Sequence, residues 1–169
     1  MVAIRPGAPA VPRDTDLSEA MHRAGKLLER RARSELELTE RLTGAGFDRP
    51  IVDQVIERLI EIRLIDDHAF ALQWITERSV RKGLAPAALG AELEAKGVSR
   101  DTVEAALAEA AVDEEAQARE VAVRLSRKVA GRPASIQAIR LRDMLARRGF
   151  SQEAAVAGVR AVLPPEGWD

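Results

Sequence analysis

Two carboxylates and a histidine stand side by side at Asp66, Asp67 and His68, and metal sites and acid-base catalysis use these residue types. Adjacent residues at a helix start point in different directions, and the only other histidine, His22, is far away in the chain. We therefore interpret Asp66 or Asp67 as the N-cap of a helix, where a negative charge is favourable.

Other catalytic patterns are missing from the sequence. It has no Cys, no Gly-rich phosphate loop, no Ser, His and Asp set in a credible context and no metal-ligand spacing. An enzyme would have to draw its chemistry from scattered carboxylates. We interpret the protein as a non-enzyme without a cofactor or a metal.

Clusters of basic residues are the stronger functional candidates. The net charge is -1, but residues 101–120 hold seven acidic residues against one basic, and residues 124–148 hold eight basic residues against one acidic. Guanidinium groups bind phosphate and carboxylate in a two-pronged geometry, so such clusters suit nucleic acid or an acidic partner. The predicted contact residues are Arg30, Arg31, Arg33, Arg78, Arg81, Lys82, Arg124, Arg127, Lys128, Arg142, Arg147 and Arg148. The alternative is that these charges only solvate helix faces.

Aromatic residues are scarce. There are three Phe, two Trp and no Tyr, so no platform on which bases could stack is visible. We expect any DNA binding to be weak and directed at the backbone, and the main partner to be a protein. Phe70 and Trp74 share a helical face; we predict that Phe70 is core and that Trp74 either packs or anchors a partner.

The elements that position these residues follow from a repeat. A Gly, an apolar residue and a helix-capping Asp or Ser recur, with Leu eight and four residues before each Gly. The three copies begin at Gly46, Gly97 and Gly149. Gly supplies a left-handed turn after one helix, and the Asp or Ser caps the next through its side-chain oxygen. Each Gly should therefore be a corner between two helices.

The spacing of the copies leaves room for a third helix before each pair. These helices are predicted from about Leu17 to Arg31, from Asp66-Asp67 to about Lys82, and from near Asp113 to Val129. The result is an all-α, elongated array of nine helices in three tandem three-helix repeats. The predicted ranges are a flexible tail over 1–16, repeats over 17–65, 66–112 and 113–163, and a tail over 164–169.

Composition also bears on location. No signal-peptide core and no apolar run long enough to cross a bilayer is present, and the lack of Cys fits a reducing compartment. We expect a soluble monomer in the cytoplasm.

Four sequence segments resemble the RecX family. They are RSELELTERL at 33–42 followed by Gly46-Phe47, LIDDHAFA at 64–71, Glu92-Leu93 with Lys96-Gly97, and LARRGF at 145–150. The resemblance spans residues 20 to 163. It implies three-helix repeats that lodge in the groove of a RecA filament on single-stranded DNA. It also implies inhibition of the ATPase, strand-exchange and coprotease activities of RecA, and thus a role in DNA repair and the SOS response.

Two other functions stay open at this point. Tandem helical modules could lay recognition helices directly on DNA, or could serve as a passive adaptor that joins two unrelated proteins. Some RecX proteins also bind DNA, so the first alternative is compatible with the resemblance.

Overall fold

The computed structural model describes residues 14–163. Residues 1–13 and 164–169, which hold most of the two predicted tails, lie outside the described part. The described residues form nine α-helices and no strand, which confirms the predicted all-α class. The helices are α1 (Asp14–Arg30), α2 (Glu35–Thr43), α3 (Arg49–Glu61), α4 (Asp67–Lys82), α5 (Pro86–Glu94), α6 (Arg100–Ala110), α7 (Glu114–Ser126), α8 (Ala134–Ala146) and α9 (Gln152–Arg160).

The predicted glycine corners lie where the pattern put them. Gly46, Gly97 and Gly149 have φ angles of 96°, 84° and 86° and connect α2 to α3, α5 to α6 and α8 to α9. L-residues rarely adopt this left-handed conformation, which explains why each corner carries a Gly.

The predicted caps are confirmed at two of the three corners. The side chains of Ser99 and Ser151 accept hydrogen bonds from the backbone N–H groups of Thr102 and Ala154, each at 3.2 Å. Asp48 occupies the N-cap position of α3, but its side chain makes no capping hydrogen bond, so that part of the prediction was wrong. One of the donors that Asp48 would satisfy is missing because Pro50 follows Arg49 in the first turn.

The first helix of each triplet differs a little from its predicted bounds. Helix α1 begins at Asp14 rather than at about Leu17, and α7 ends at Ser126 rather than Val129. After α7 the chain forms a tighter turn, because the Val129 N–H donates to the Ser126 carbonyl three residues back.

Two connections between triplets use a left-handed residue that is not Gly. Arg63, between α3 and α4, has a φ angle of 54°, and Ala111, the C-cap of α6, has a φ angle of 45°. Nothing in the sequence pattern marks these positions, so the prediction missed both turns.

Each triplet has its own apolar core. In the first, Leu38, Leu42, Val55 and Leu59 are buried and Ile56 is partly buried. In the second, Leu89, Leu93 and Val103 are buried and Leu107 is partly buried, together with Phe70. The predicted register is therefore confirmed in both, and Phe70 is a core residue. The third core contains Leu141, Leu145 and Phe150.

The chain divides into two compact units, Met1–Asp66 and Asp67–Asp169. The first unit contains α1 to α3. The second contains α4 to α9, so the second and third triplets form one body.

Candidate binding surfaces

The C-terminal end of α4 is held by side chains of α7. The Gln117 Nε2 group donates hydrogen bonds to the backbone oxygens of Ser79 and Leu84, at 3.1 and 3.0 Å. The Arg124 guanidinium donates to the Val80 oxygen at 3.0 Å. The last carbonyls of a helix have no partner within that helix, so α7 provides the partners that α4 itself cannot. These contacts hold the C-terminal end of α4, and the turn that follows it, against α7.

Close backbone contacts also join the second repeat to the third. The Ala85 N–H, just before α5, donates to the Arg148 carbonyl at 2.9 Å. A Cβ added to Gly83, which has a φ angle of 63°, would lie 2.7 Å from a methyl carbon of Val121. Only Gly allows α4 to end this close to α7.

Basic and apolar side chains are exposed together at this junction. The structure gives no ion pair to Arg81, Arg127 or Lys128 in the described part of the chain, and the Arg124 guanidinium bonds only to a carbonyl. Two apolar neighbours are unusually open, with Val80 68% and Val123 55% exposed. We call this set the junction surface; it comprises Val80, Arg81, Val123, Arg124, Arg127 and Lys128. It unites predicted contact residues from two different repeats.

Trp74 is held by internal contacts within the second repeat. Its indole N–H donates to the Glu92 carboxylate at 2.9 Å, and the ring is covered by the Arg78 guanidinium, 3.7 Å from the ring centroid, and the Lys96 ammonium, at 4.4 Å. Arg78 and Lys82 also pair with Glu92, at 3.2 and 3.9 Å. Glu92 thus joins α4 to α5, and the sequence analysis missed this role because Glu92 carries no local signal. These contacts support a packing role for Trp74 and Arg78.

The predicted contact residues near α1 and α2 differ in their exposure. Arg30 is exposed, and Arg31 is bound to the Glu37 carboxylate at 2.8 Å. Arg33 is buried, and its Nε donates to the Leu27 carbonyl at 3.3 Å. Burial, and then the charge of Arg31, lowers the pKa of Arg33 from its ordinary value. Arg33 therefore stabilises the connection between the two helices and offers little surface to a partner.

The predicted contact residues on and after α8 also divide into two kinds. Arg142 and Arg147 are exposed, without an ion pair among the described residues. Arg148 is half-buried, and its guanidinium donates to the Met144 carbonyl at 2.8 Å. Its backbone oxygen is the acceptor for Ala85, so Arg148 contributes to the contact between repeats.

The acidic pair and histidine lie at the start of α4, whose first residue is Asp67, so the predicted position of this helix start is confirmed. His68 Nε2 lies 3.4 Å from the Glu109 carboxylate of α6. Among the described residues, no three His, Asp or Glu side chains are grouped so that they could hold a metal ion.

Two surface grooves border α9. One, between α7 and α9, is lined by charged residues of both signs that include Glu115, Arg119 and Arg160. The other, between α8 and α9, is lined by Ala138, Ile139, Arg142, Val156 and Val159. None of the described helices is long and apolar enough to cross a bilayer.

Family models and sequence relatives of known proteins match this chain. Residues 20–59 match the family model for the first three-helix domain of RecX, and residues 66–107 match the model for the second. A regulatory protein RecX of Mycobacterium sp. strain JLS is 40% identical over 83% of this chain and 80% of its own length. That of Thermobifida fusca strain YX is 37% identical over 96% of this chain and 88% of its own length.

Solved structures give the same fold. RecX from Lactobacillus salivarius aligns with a TM-score of 0.78 at 19% identity, covering 88% of this chain and 97% of that one. A second regulatory protein RecX aligns with a TM-score of 0.75 at 22% identity, covering 82% of this chain and 70% of the other. At such identities the likeness shows the fold alone. The sequence relatives show more, and by them this chain belongs to the RecX family of regulatory proteins.

Proposed function

We propose that this protein is a negative regulator of RecA, which binds in the groove of the RecA filament on single-stranded DNA. There it inhibits the ATPase, recombinase and coprotease activities of RecA and so restrains DNA repair and the SOS response. The observation that carries the proposal is the relationship to proteins named regulatory protein RecX, at 37% to 40% identity over most of both chains. It acts as a monomer in the cytoplasm, by binding and not by catalysis.

The fold supports a regulator that works by occupying a surface. The second and third repeats form one body, so contact residues on both can be presented to a partner in a fixed arrangement. A preorganised surface loses less conformational entropy on binding than a flexible one does. In this proposal the junction surface and the exposed arginines of α8 are the residues that meet the filament.

Inhibition of ATP hydrolysis tests the proposal. The full chain is titrated into RecA filaments formed on single-stranded DNA at physiological salt. We expect inhibition at fewer molecules of this protein than of RecA, because one bound regulator can affect a run of neighbouring protomers. Unchanged hydrolysis with an excess of folded protein would overturn the proposal.

A second candidate function is direct, weak binding to the DNA backbone. The unpaired cations of the junction surface favour it, since Arg81, Arg127 and Lys128 have no carboxylate to neutralise them among the described residues. Cation-phosphate contacts release counterions and make the affinity fall steeply with salt, whatever the base sequence.

The salt dependence of binding to a single-stranded oligonucleotide tests this candidate. Replacing Arg81, Arg127 and Lys128 by Ala should lower the logarithmic slope by roughly one for each lost phosphate contact in duplex DNA and somewhat less in single strands. The control replaces Arg49, Arg58 and Arg100, which pair with carboxylates of their own helices at 2.7 to 3.0 Å. Equal slopes in the two triple variants would reject the junction surface as a DNA contact.

A further inference from the structure

Helix α8 has an apolar inner face and an outer face that is only partly polar. Ala138, Leu141 and Leu145 point into the third core. On the opposite side, Ile136 and Ile139 are 40% and 45% exposed. Two large apolar side chains at this spacing lie next to each other on a helix surface. A large part of each of these two side chains remains open to solvent.

Arginines flank these two isoleucines. Arg140 and Arg147 follow Ile136 and Ile139 at helical spacing on the outer face, and Arg142 stands beside Ile139. All three arginines are exposed, and the structure gives none of them an ion pair in the described residues. One exposed carboxylate, Asp143, lies on the same outer face, so this face carries three cations against one anion. Helices α3 and α6 differ, because their exposed arginines, including Arg49 and Arg100, are bound to carboxylates one turn away.

A groove continues this surface toward α9. Ala138, Ile139 and Arg142 of α8 form one side of it, and Val156 and Val159 of α9 form the other. The lining of this groove is thus apolar except for one cation, Arg142. We call the outer face of α8 and this groove the α8 surface; its residues are Ile136, Ala138, Ile139, Arg140, Arg142, Asp143, Arg147, Val156 and Val159.

We propose that the α8 surface docks an acidic protein segment that carries apolar side chains, and that this segment belongs to the RecA filament. The inference rests on the proposed function and names the kind of contact through which it works. The arginines are complementary to carboxylates, which they can bind in a two-pronged geometry, while Ile136 and Ile139 would be covered by apolar side chains of the partner. A phosphodiester backbone would pair with the arginines but would leave both isoleucines against polar groups, so a protein segment fits better than a nucleic acid.

The test compares two double variants of the full chain with two controls. One variant carries Ile136→Ser and Ile139→Ser, and the other carries Arg140→Glu and Arg142→Glu. The apolar control is Leu36→Ser, because Leu36 is as exposed as Ile136 but lies on α2. The charge control is Arg41→Glu, an exposed arginine of the same helix α2. Circular dichroism establishes that each variant is folded.

Binding is measured with the labelled full chain against RecA filaments on single-stranded DNA, and in parallel against the same DNA without RecA. We expect each double variant to bind the filament about tenfold more weakly or worse, because truncating central interface residues costs this much or more. Both controls should bind like the parent. The isoleucine variant should bind free DNA as the parent does.

Three results would overturn the inference. If the parent binds the filament and both double variants bind as tightly as the controls, the α8 surface is not a docking site, although the proposed function stands. If only the arginine variant is weakened, and equally on free DNA, the surface contacts nucleic acid instead. If the parent does not bind the filament at all, the proposed function and this inference fail together.

Discussion

Gly149, the corner between α8 and α9, lies against Ala88 of α5 so closely that a Cβ added to Gly149 would come within 2.7 Å of the Ala88 Cβ. The same added atom would lie 2.9 Å from the Ala88 backbone nitrogen. The corner of the third repeat therefore packs directly on the second repeat. Gly at this position serves both the turn and the contact between repeats.

Replacing Gly149 by Ala should destabilise the second unit more than replacing Gly131 by Ala does. Gly131 has a φ angle of 80° but open space around it, so its substitution should cost only the left-handed strain, about 1–2 kcal/mol. The clash with Ala88 should add about 1–3 kcal/mol, the usual cost of overpacking. Urea unfolding followed by tryptophan fluorescence measures this, since Trp74 lies in the second unit. Equal losses in the two variants would show that the contact with Ala88 relaxes freely.

Replacing Gln117 by Leu should also destabilise the second unit. The change leaves the Ser79 and Leu84 carbonyls without the donor that α7 supplies, and a part-buried group without its partner costs about 1–3 kcal/mol. Part of this loss should be offset because the Gln117 Oε1 atom is itself buried with no hydrogen-bond partner. Gln152→Leu, at an exposed position of α9, is the control and should change stability by less than about 0.5 kcal/mol. A Gln117→Leu protein as stable as its control would contradict a role for this amide.

Replacing Ala111 by Gly should stabilise the protein, although Gly usually does the opposite. Ala111 is left-handed, with a φ angle of 45°, which costs an L-residue about 1–2 kcal/mol. Gly removes that strain but gives the unfolded chain more freedom, worth about 0.4–1 kcal/mol, so a net gain of about 0.5–1 kcal/mol remains. The control is Ala108→Gly in the interior of α6, which should lose about 1 kcal/mol. The urea midpoints of the two variants should therefore move in opposite directions from the parent's.

Variants at two arginines of α4 should distinguish a packing role from a role in partner binding. Arg78 stacks on Trp74 and pairs with Glu92, so Arg78→Ala should lower stability by about 1 kcal/mol. Arg81 is exposed, and Arg81→Ala should leave stability within about 0.5 kcal/mol while it weakens binding to the filament. Thermal unfolding and filament binding of the two proteins measure both effects. A loss of stability in the Arg81→Ala protein but not in the Arg78→Ala protein would contradict these two roles.

The fold was predictable because its main signals are local. Each corner depends on residues that are close together in the chain. They are a Gly with a positive φ angle, the Leu residues eight and four positions before it and, at two corners, the capping Ser after it. Ala111 shows where this reasoning ends. There an exposed Ala adopts the left-handed conformation in which the three corners have Gly, and no residue type marks the turn in the sequence.

The candidate surfaces were predictable only in part. Basic clusters in the sequence contain Arg81 and Arg127, which are exposed and unpaired among the described residues, but they also contain Arg33 and Arg78, which are bound internally. A list of charges cannot separate these two kinds, because the separation depends on which helix each side chain meets. Ile136 and Ile139 of the α8 surface escaped notice for the same reason.

The order in which the chain is synthesised gives the hydrogen bonds of Gln117 a further consequence. On a ribosome, Ser79 and Leu84 emerge well before their partner, which follows 38 and 33 residues later. The acceptor of the Ala85 N–H, the carbonyl of Arg148, is synthesised later still. The first unit needs nothing from beyond Asp66 for its core, so it can fold during translation. The second repeat, by contrast, has its own core once residue 112 has been made, but the backbone groups at the end of α4 and before α5 lack these partners until most of the third repeat has been synthesised. In that interval this edge of the second repeat is exposed to proteases and chaperones.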